Sequence, residues 1–424
     1  MQTFKTDKAM SVVMENRKYD TAFYRFNKWP DSDACWSLST GPDGRIYAAA
    51  CVEITPGSTV YLTRYNDQTN SIDYLLEMDK ALGDPRDSGR ATQCKIHYSF
   101  VPDSRNGILY MATHLSGPPK GRASFSPWHS WYGNEMFRGS VLLAYDTSAD
   151  KALWHDLMIP KQGCRCLCFD QKHDLFYALS YPLDHFIVYD LATRESHDMG
   201  RIGSVNCQAI FLDRFNRAVF ADDQGYLVRY DHTNRKLERL FLRLPHEHFQ
   251  TGWHSVLYDA VASPDNERVY FITWIADSHL IRYTPQEKGP GILEDMGRLT
   301  QERDPTVPMS TYQNHCGGLV FGNDGMLYMV AAKWERDFPV PLTRDIPAYG
   351  SVLRIDPETG SRSEVAKLRR PSPEGSGHYV SRGARDRNGD IFFGHVGTVP
   401  VGFFKMKMNV EEGRDNHLPL RIWG

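Results

Sequence analysis

The sequence predicts an all-β chain folded as a seven-bladed β-propeller, with four-stranded antiparallel blades around a central channel. Two recurrences carry this. A short apolar pattern with a late aromatic appears seven times: GRIYAAA, GILYMAT, DLFYALS, RAVFADD, ERVYFIT, GMLYMVA and GDIFFGH. A second apolar pattern, closing on a Tyr or Ile before turn residues, follows each of the first six: YLTRYND, VLLAYDT, FIVYDLA, LVRYDHT, LIRYTPQ and VLRIDPE. The marker aromatics of the first pattern are Tyr47, Tyr110, Tyr177, Phe220, Tyr270, Tyr328 and Phe392, spaced 43 to 67 residues apart. That spacing is near the period of propeller blades, and helical periodicity is almost absent.

Each unit supplies four strands in order. Runs such as SFVPDSRNG, LCFDQKHD, AIFLDRFN, AVASPDNE and LVFGNDG read as strand A and a tight turn. The marker pattern is strand B, a variable loop follows, and the second pattern is strand C, with strand D after its turn. VGFFKMKMN is a looser seventh strand C. The expected blades are 35–80, 94–161, 163–203, 205–245, 254–300, 314–370 and 378–424, one domain over 1–424. Two segments compete to complete the last blade, YDTAFYRFN within 18–30 and HLPLRIWG at the C-terminus. A lone blade cannot bury both of its faces, and stacking blades around an axis does.

The 424 residues are 41% hydrophobic and 24% charged, with a net charge of -3, which points away from nucleic acid and anionic membranes as partners. No apolar run approaches the roughly 20 residues of a membrane span. The N-terminus lacks the apolar core of a secretory signal, so a cytoplasmic location is expected if Met1 is native, and a periplasmic or secreted one if a signal peptide has been removed. Most of the eight cysteines lie in apolar strand patterns and read as buried thiols. Cys164, Cys166 and Cys168 alternate along one strand, a poor geometry for a disulfide framework.

In a propeller, the start of strand A and the end of strand B meet at one mouth of the channel. The strand B ends are Cys51, His114, Tyr181, Gln224, Trp274, Ala332 and Val396, with Asp223, Lys333 and His395 beside them. The strand A starts are Trp36, His97, Arg165, Gln208, Asp259, Gly317 and Ser381, with Lys95, Asn206, His254, His315, His378 and Tyr379 just upstream. His97, His114, Arg165 and Tyr181 come from adjacent blades at equivalent heights and are expected to share one pocket. Lys95, Gln208, Gln224, Trp274, Lys333 and Arg382 are candidate substrate-binding residues. The long second-blade loop SGPPKGRASFSPWHSWYGNEMFRG offers Trp128 and Trp131 as a sugar-stacking wall, and KWERDFPVPLTRDIPAYG in blade six is a second candidate wall. His254, His315 and His395 are candidate ligands for a divalent cation, zinc, manganese or calcium. The turns at the opposite end read as solvated.

The KIH that opens one strand A and the LYMATH that closes its strand B resemble the seven-bladed propeller polysaccharide lyases, of the ulvan lyase and rhamnose–glucuronate lyase type, with oligogalacturonate lyase a more distant likeness. The resemblance implies β-elimination at a uronic acid of an oligo- or polysaccharide. It also implies that His97 and His114 match a paired-histidine motif. In the ulvan lyases the tyrosine precedes its arginine along the chain, whereas here Arg165 precedes Tyr181. The residue types suit the chemistry on their own terms. A guanidinium can neutralise the carboxylate, a histidine can take the C5 proton, and a tyrosine can protonate the leaving O4. The competing expectations are a rhamnosidase-like glycoside hydrolase, a non-catalytic carbohydrate-binding or scaffold propeller, and a metal-dependent lactonase using Glu53, Asp223 and Asp259.

Overall fold

The computed structural model describes residues 19–408 apart from 30, 54, 56, 115–136, 203–206, 246–255, 275–277, 300–314, 334–348, 371–374, 378 and 398–400. Its strands form seven antiparallel blades, a seven-bladed β-propeller, and the one helix among the described residues is a short turn at Met78–Leu82. All seven marker aromatics stand on the second strand of their blade, at most 4% exposed. Inner strands are buried along their whole length, as in Ile108–His114 and Leu175–Tyr181. Both faces of such a strand meet neighbouring sheets, so it reads as a continuous apolar run rather than an alternating one. The outermost strand of blade 3, Glu195–Arg201, is mostly exposed and correspondingly polar.

The last blade runs in the order Thr21–Arg25, Gly402–Met406, Ile391–His395, Val380–Arg385. The YDTAFYRFN segment therefore supplies its outer strand, and HLPLRIWG lies outside the described residues. Blade 6 carries a two-residue fifth strand, Gly375–Ser376.

By packing, the chain divides into two compact units. One holds Tyr24–Leu212 and Gly394–Phe403, and the other Asp213–Phe393 with flanking segments. The core of the first includes Val101, Tyr110, Leu142, Phe169, Phe176 and Tyr189 between blades 2 and 3. There Phe169 stacks on Phe176 at 4.3 Å, and Tyr110 meets Phe176 edge-on at 4.9 Å. The second has its own cluster, including Tyr270, Ile272, Leu319, Phe321, Met329 and Leu353. The eight cysteines are buried thiols outside any disulfide, and burial pushes the Cys164 thiol up to about 12.

The A–B turns depart from the solvated reading. Asp103, Asp170, Asp213 and Asp386 are at most 3% exposed. Each carboxylate accepts a turn N–H: Arg105 at 3.1 Å, Lys172 at 3.1 Å, Phe215 at 2.9 Å and Asn388 at 2.9 Å. Tight turns leave backbone donors without a ladder partner, and a short carboxylate two residues earlier satisfies them. These acids hold turns together.

Candidate active site

The site is built on irregular strand starts. In blade 2, strand A (Lys95–Asp103) pairs with strand B (Ile108–His114), with Lys95 opposite His114 and Ile96 opposite Thr113. Register resumes only at Phe100 opposite Met111, so His97, Tyr98 and Ser99 bulge against Ala112 alone. Tyr98 takes a φ of 35°, a conformation that costs a non-glycine residue about 1 kcal/mol or more. Ser99 Oγ donates to the carbonyl of His97 and, at 3.0 Å, to that of Ala112, which pins the bulge. In blade 3, Gly163 faces Tyr181, and Arg165 is the extra residue between the Cys164–Ser180 and Cys166–Leu179 pairs. Bulges re-aim side chains next to functional sites. Tyr258 occupies the matching extra position in blade 5, one residue before the Asp259 expected there.

The two bulges bring the four catalytic candidates together. The rings of His97 and His114 lie 5.2 Å apart, those of His114 and Tyr181 4.8 Å, and the Arg165 guanidinium sits 4.2 Å from the centre of the Tyr181 ring. His97 Nδ1 lies 2.8 Å from the Arg165 carbonyl oxygen. A carbonyl only accepts, so Nδ1 donates, and the lone pair of a neutral His97 is on Nε2. Burial, then the charges of Lys95 and Arg165, hold the His97 pKa well below the ordinary histidine range. Burial raises the Tyr181 hydroxyl above its ordinary value, against the lowering effect of Arg165. His97, His114 and Tyr181 are buried, while Arg165 is half-buried. Arg165 has no carboxylate partner among the described residues, and its Nε is buried without a hydrogen bond. A half-buried guanidinium without a carboxylate partner calls for an anion.

Lys95 is engaged. Its Nζ lies 2.8 Å from Glu53 Oε1 and 4.7 Å from the centre of the Trp36 ring. Trp36 Nε1 donates to the same Glu53 oxygen, and its ring stands 4.7 Å from that of His97. The Glu53 N–H donates to both oxygens of Asp33, at 3.0 and 2.8 Å. Sequence reasoning placed Glu53 among lactonase ligands and did not join it to this group. The signal was its position two residues past Cys51, on the same side of an extended chain.

The other expected residues fall elsewhere. Gln208 is buried just ahead of strand A of blade 4. Gln224 is not at a strand end: strand B stops at Ala221, and Gln224 sits exposed in the following turn, bonded to Arg239 and Arg243. The run AVFADDQG places its turn signal early, so counting four residues from Phe220 overshoots the strand. Trp274 ends strand B of blade 5. Lys333 is paired with Glu364 at 3.0 Å, and Glu364 also accepts from Ser351 at 2.6 Å. Arg382 pairs with Asp259, which further accepts the Leu319 N–H at 2.8 Å. Trp128, Trp131 and His254 lie outside the described residues. His315 is buried with Nε2 2.8 Å from the Tyr258 hydroxyl, and His395 is buried at the end of its strand. Among the described residues, no group of three or more His, Cys, Asp or Glu is placed to hold a metal ion.

The fold and this site define a propeller with a titratable cluster on two adjacent blades. No family model and no curated protein matches the chain. Solved structures share its fold. The extracellular domain of a protein assigned as a one-component system of B. thetaiotaomicron is similar at 14% identity and a TM-score of 0.56, over 93% of this chain and 40% of that one, so this chain spans well under half the length of that relative. A streptogramin B lyase is similar at 12% identity and a TM-score of 0.54, over 92% and 98% of the two chains. Hydrazine synthase of Kuenenia stuttgartiensis follows at 11% identity and 0.52, over 96% and 100%. Likeness at such identities speaks for the propeller fold alone.

Proposed function

We propose that this protein is a polysaccharide lyase that cleaves a uronate-containing glycan by β-elimination. The observation that carries the reading is the Arg165 guanidinium, without a carboxylate partner among the described residues, stacked on Tyr181 one residue pair away from a neutral, buried His97. Arg165 pairs with the substrate carboxylate and lowers the energy of the carbanion-like charge that builds up at C5. His97 Nε2 takes the C5 proton. The electrons of the C5–H bond form the C4=C5 double bond as the C4–O4 bond breaks, and Tyr181 gives its hydroxyl proton to O4. His97 is a weak base while Lys95 and Arg165 hold its pKa down. An incoming carboxylate offsets those charges and restores basicity when it is needed. His114, whose ring lies between those of His97 and Tyr181, would relay the proton that restores Tyr181.

Ordinary glycoside hydrolysis uses two carboxylates flanking the bond. Near this group, Glu53 is paired with Lys95, Asp33 is spent on the Glu53 N–H, and Asp184 lies 3.7 Å from Arg201. This favours elimination over the rhamnosidase-like reading. The test incubates the protein with uronate-bearing glycans and their carboxyl-reduced counterparts. Cleavage confined to the uronate forms, with products absorbing in the ultraviolet through the new double bond, supports the proposal. Equal cleavage of both, or saturated products, turns the assignment to a hydrolase.

A further inference from the structure

Glu53 has no part in the elimination, yet it stands inside the group that performs it. Its Oε1 is taken by Lys95 and Trp36, whereas its Oε2 has no partner among the described residues, and its side chain is 29% exposed. It is close enough to Tyr181 to raise the energy of a phenolate there. Lys95 and Glu53 are matched to each other, and Asp184, the second anion acting on Tyr181, lies 3.7 Å from Arg201. Arg165 is the cation of the group without a carboxylate partner among the described residues, and it is the one left for substrate.

We infer that Glu53 is a specificity-determining residue that admits one anionic group per cleavage site, so that the sugar next to the uronate carries hydroxyls and neither sulfate nor a second carboxylate. The inference rests on the lyase reading for the position of the uronate. Its physical basis is separate. An outward carboxylate oxygen accepts a sugar hydroxyl well and repels an anion that would otherwise be drawn to Lys95. The backbone of Glu53 is anchored by two hydrogen bonds to Asp33, so the carboxylate cannot swing aside by a shift of its own chain. Like charges about 5 Å apart in a part-exposed site, at an effective dielectric near 20 and with solvent screening, amount to roughly a tenfold to hundredfold discrimination.

The experiment measures dissociation constants, by calorimetry on the full chain, for two disaccharides that share a uronate and differ only in a sulfate on the neighbouring sugar. The wild type should bind the unsulfated form at least about tenfold more tightly. Glu53→Gln keeps the shape and one acceptor oxygen and should narrow that ratio to within about threefold, chiefly by improving the sulfated ligand. Glu53→Asp should keep the preference. A wild type without preference, a ratio unchanged in Glu53→Gln, or a failure of the wild type to bind either disaccharide would each overturn the inference. Failure of the lyase reading looks different: the preference is present and Glu53-dependent, but turnover leaves no double bond.

Discussion

Replacing Arg165 with alanine separates charge from architecture at this site. The His97 imidazole is held by the Arg165 backbone carbonyl, which the substitution leaves in place. The guanidinium itself makes a cation–π contact with Tyr181 and no ion pair among the described residues, so the cost to stability should be only about 1 kcal/mol. The catalytic cost is larger. A substrate carboxylate about 4 Å from the guanidinium, at an effective dielectric near 20, is stabilised by about 4 kcal/mol. Screening at this half-buried position reduces that to about 3 kcal/mol, or roughly a hundredfold in rate. Because charge on the carboxylate grows as the C5 proton leaves, the loss should fall more on kcat than on KM. The assay follows ultraviolet absorbance of the unsaturated product, with a thermal melt as a folding control. A second readout follows from His97. Arg165 is one of the charges holding its pKa down, so the acid limb of kcat/KM should move to higher pH in the variant. A folded Arg165→Ala protein that retains activity within about threefold, with an unmoved acid limb, would refute the assignment of the neutralising charge.

Further outcomes follow from the same geometry. Tyr181→Phe should lower kcat by roughly a hundredfold with KM within about threefold, as expected for loss of a proton donor, and steady-state kinetics checks this. If a guanidinium carries the neutralisation, chelator treatment should leave kcat/KM within about twofold; a large loss restored by zinc would instead give a role to His254, His315 or His395. His97 is depressed in the folded state, so the unfolded chain takes up protons below about pH 6.5 that the native one does not. Its contribution to stability is present above that value and lost as pH falls toward the native pKa, and urea titrations should find a flatter acid decline in His97→Gln. Asp386 behaves oppositely. Burial and then Asp390 raise it to about 6, so its contribution is present below its ordinary value and lost as pH rises through about 6. Asp386→Asn should gain on the wild type between pH 5 and pH 7.5 by about 1–2 kcal/mol.

The blades were legible because the physics that builds them is local. A strand enclosed on both faces must be apolar throughout, and each turn must supply its own acceptors, so IYAAA, ILYMATH and LFYALSY announce themselves. The neighbourhood of His97, His114, Arg165 and Tyr181 was legible for the same reason, as strand ends at equivalent heights. What escaped depends on register. A bulge moves the side chain that faces the site by one residue, which is why Tyr258 rather than Asp259 occupies the extra position of blade 5. Glu53 escaped because it lies past the end of strand B, where the repeat no longer constrains the chain. The buried turn acids escaped because an Asp in a polar turn looks the same whether it faces water or satisfies backbone donors.

The meeting of Arg165 with Tyr181 has a geometric cause. Arg165 and Tyr181 occupy adjacent antiparallel strands, with Gly163 directly across from Tyr181 and Arg165 displaced into a bulge two residues on. Side chains at the same end of such a pair converge on one point whichever strand carries which residue. Here that end of the pair carries a guanidinium on a phenol ring, 4.2 Å from its centre. The arginine sits on the bulged strand, and its carbonyl orients His97. In this chain the residue that would neutralise the carboxylate also fixes, through its backbone, the tautomer of the base. Lengthening or shortening the bulge by one residue should then abolish activity even with all four side chains present, and restoring the length should bring it back.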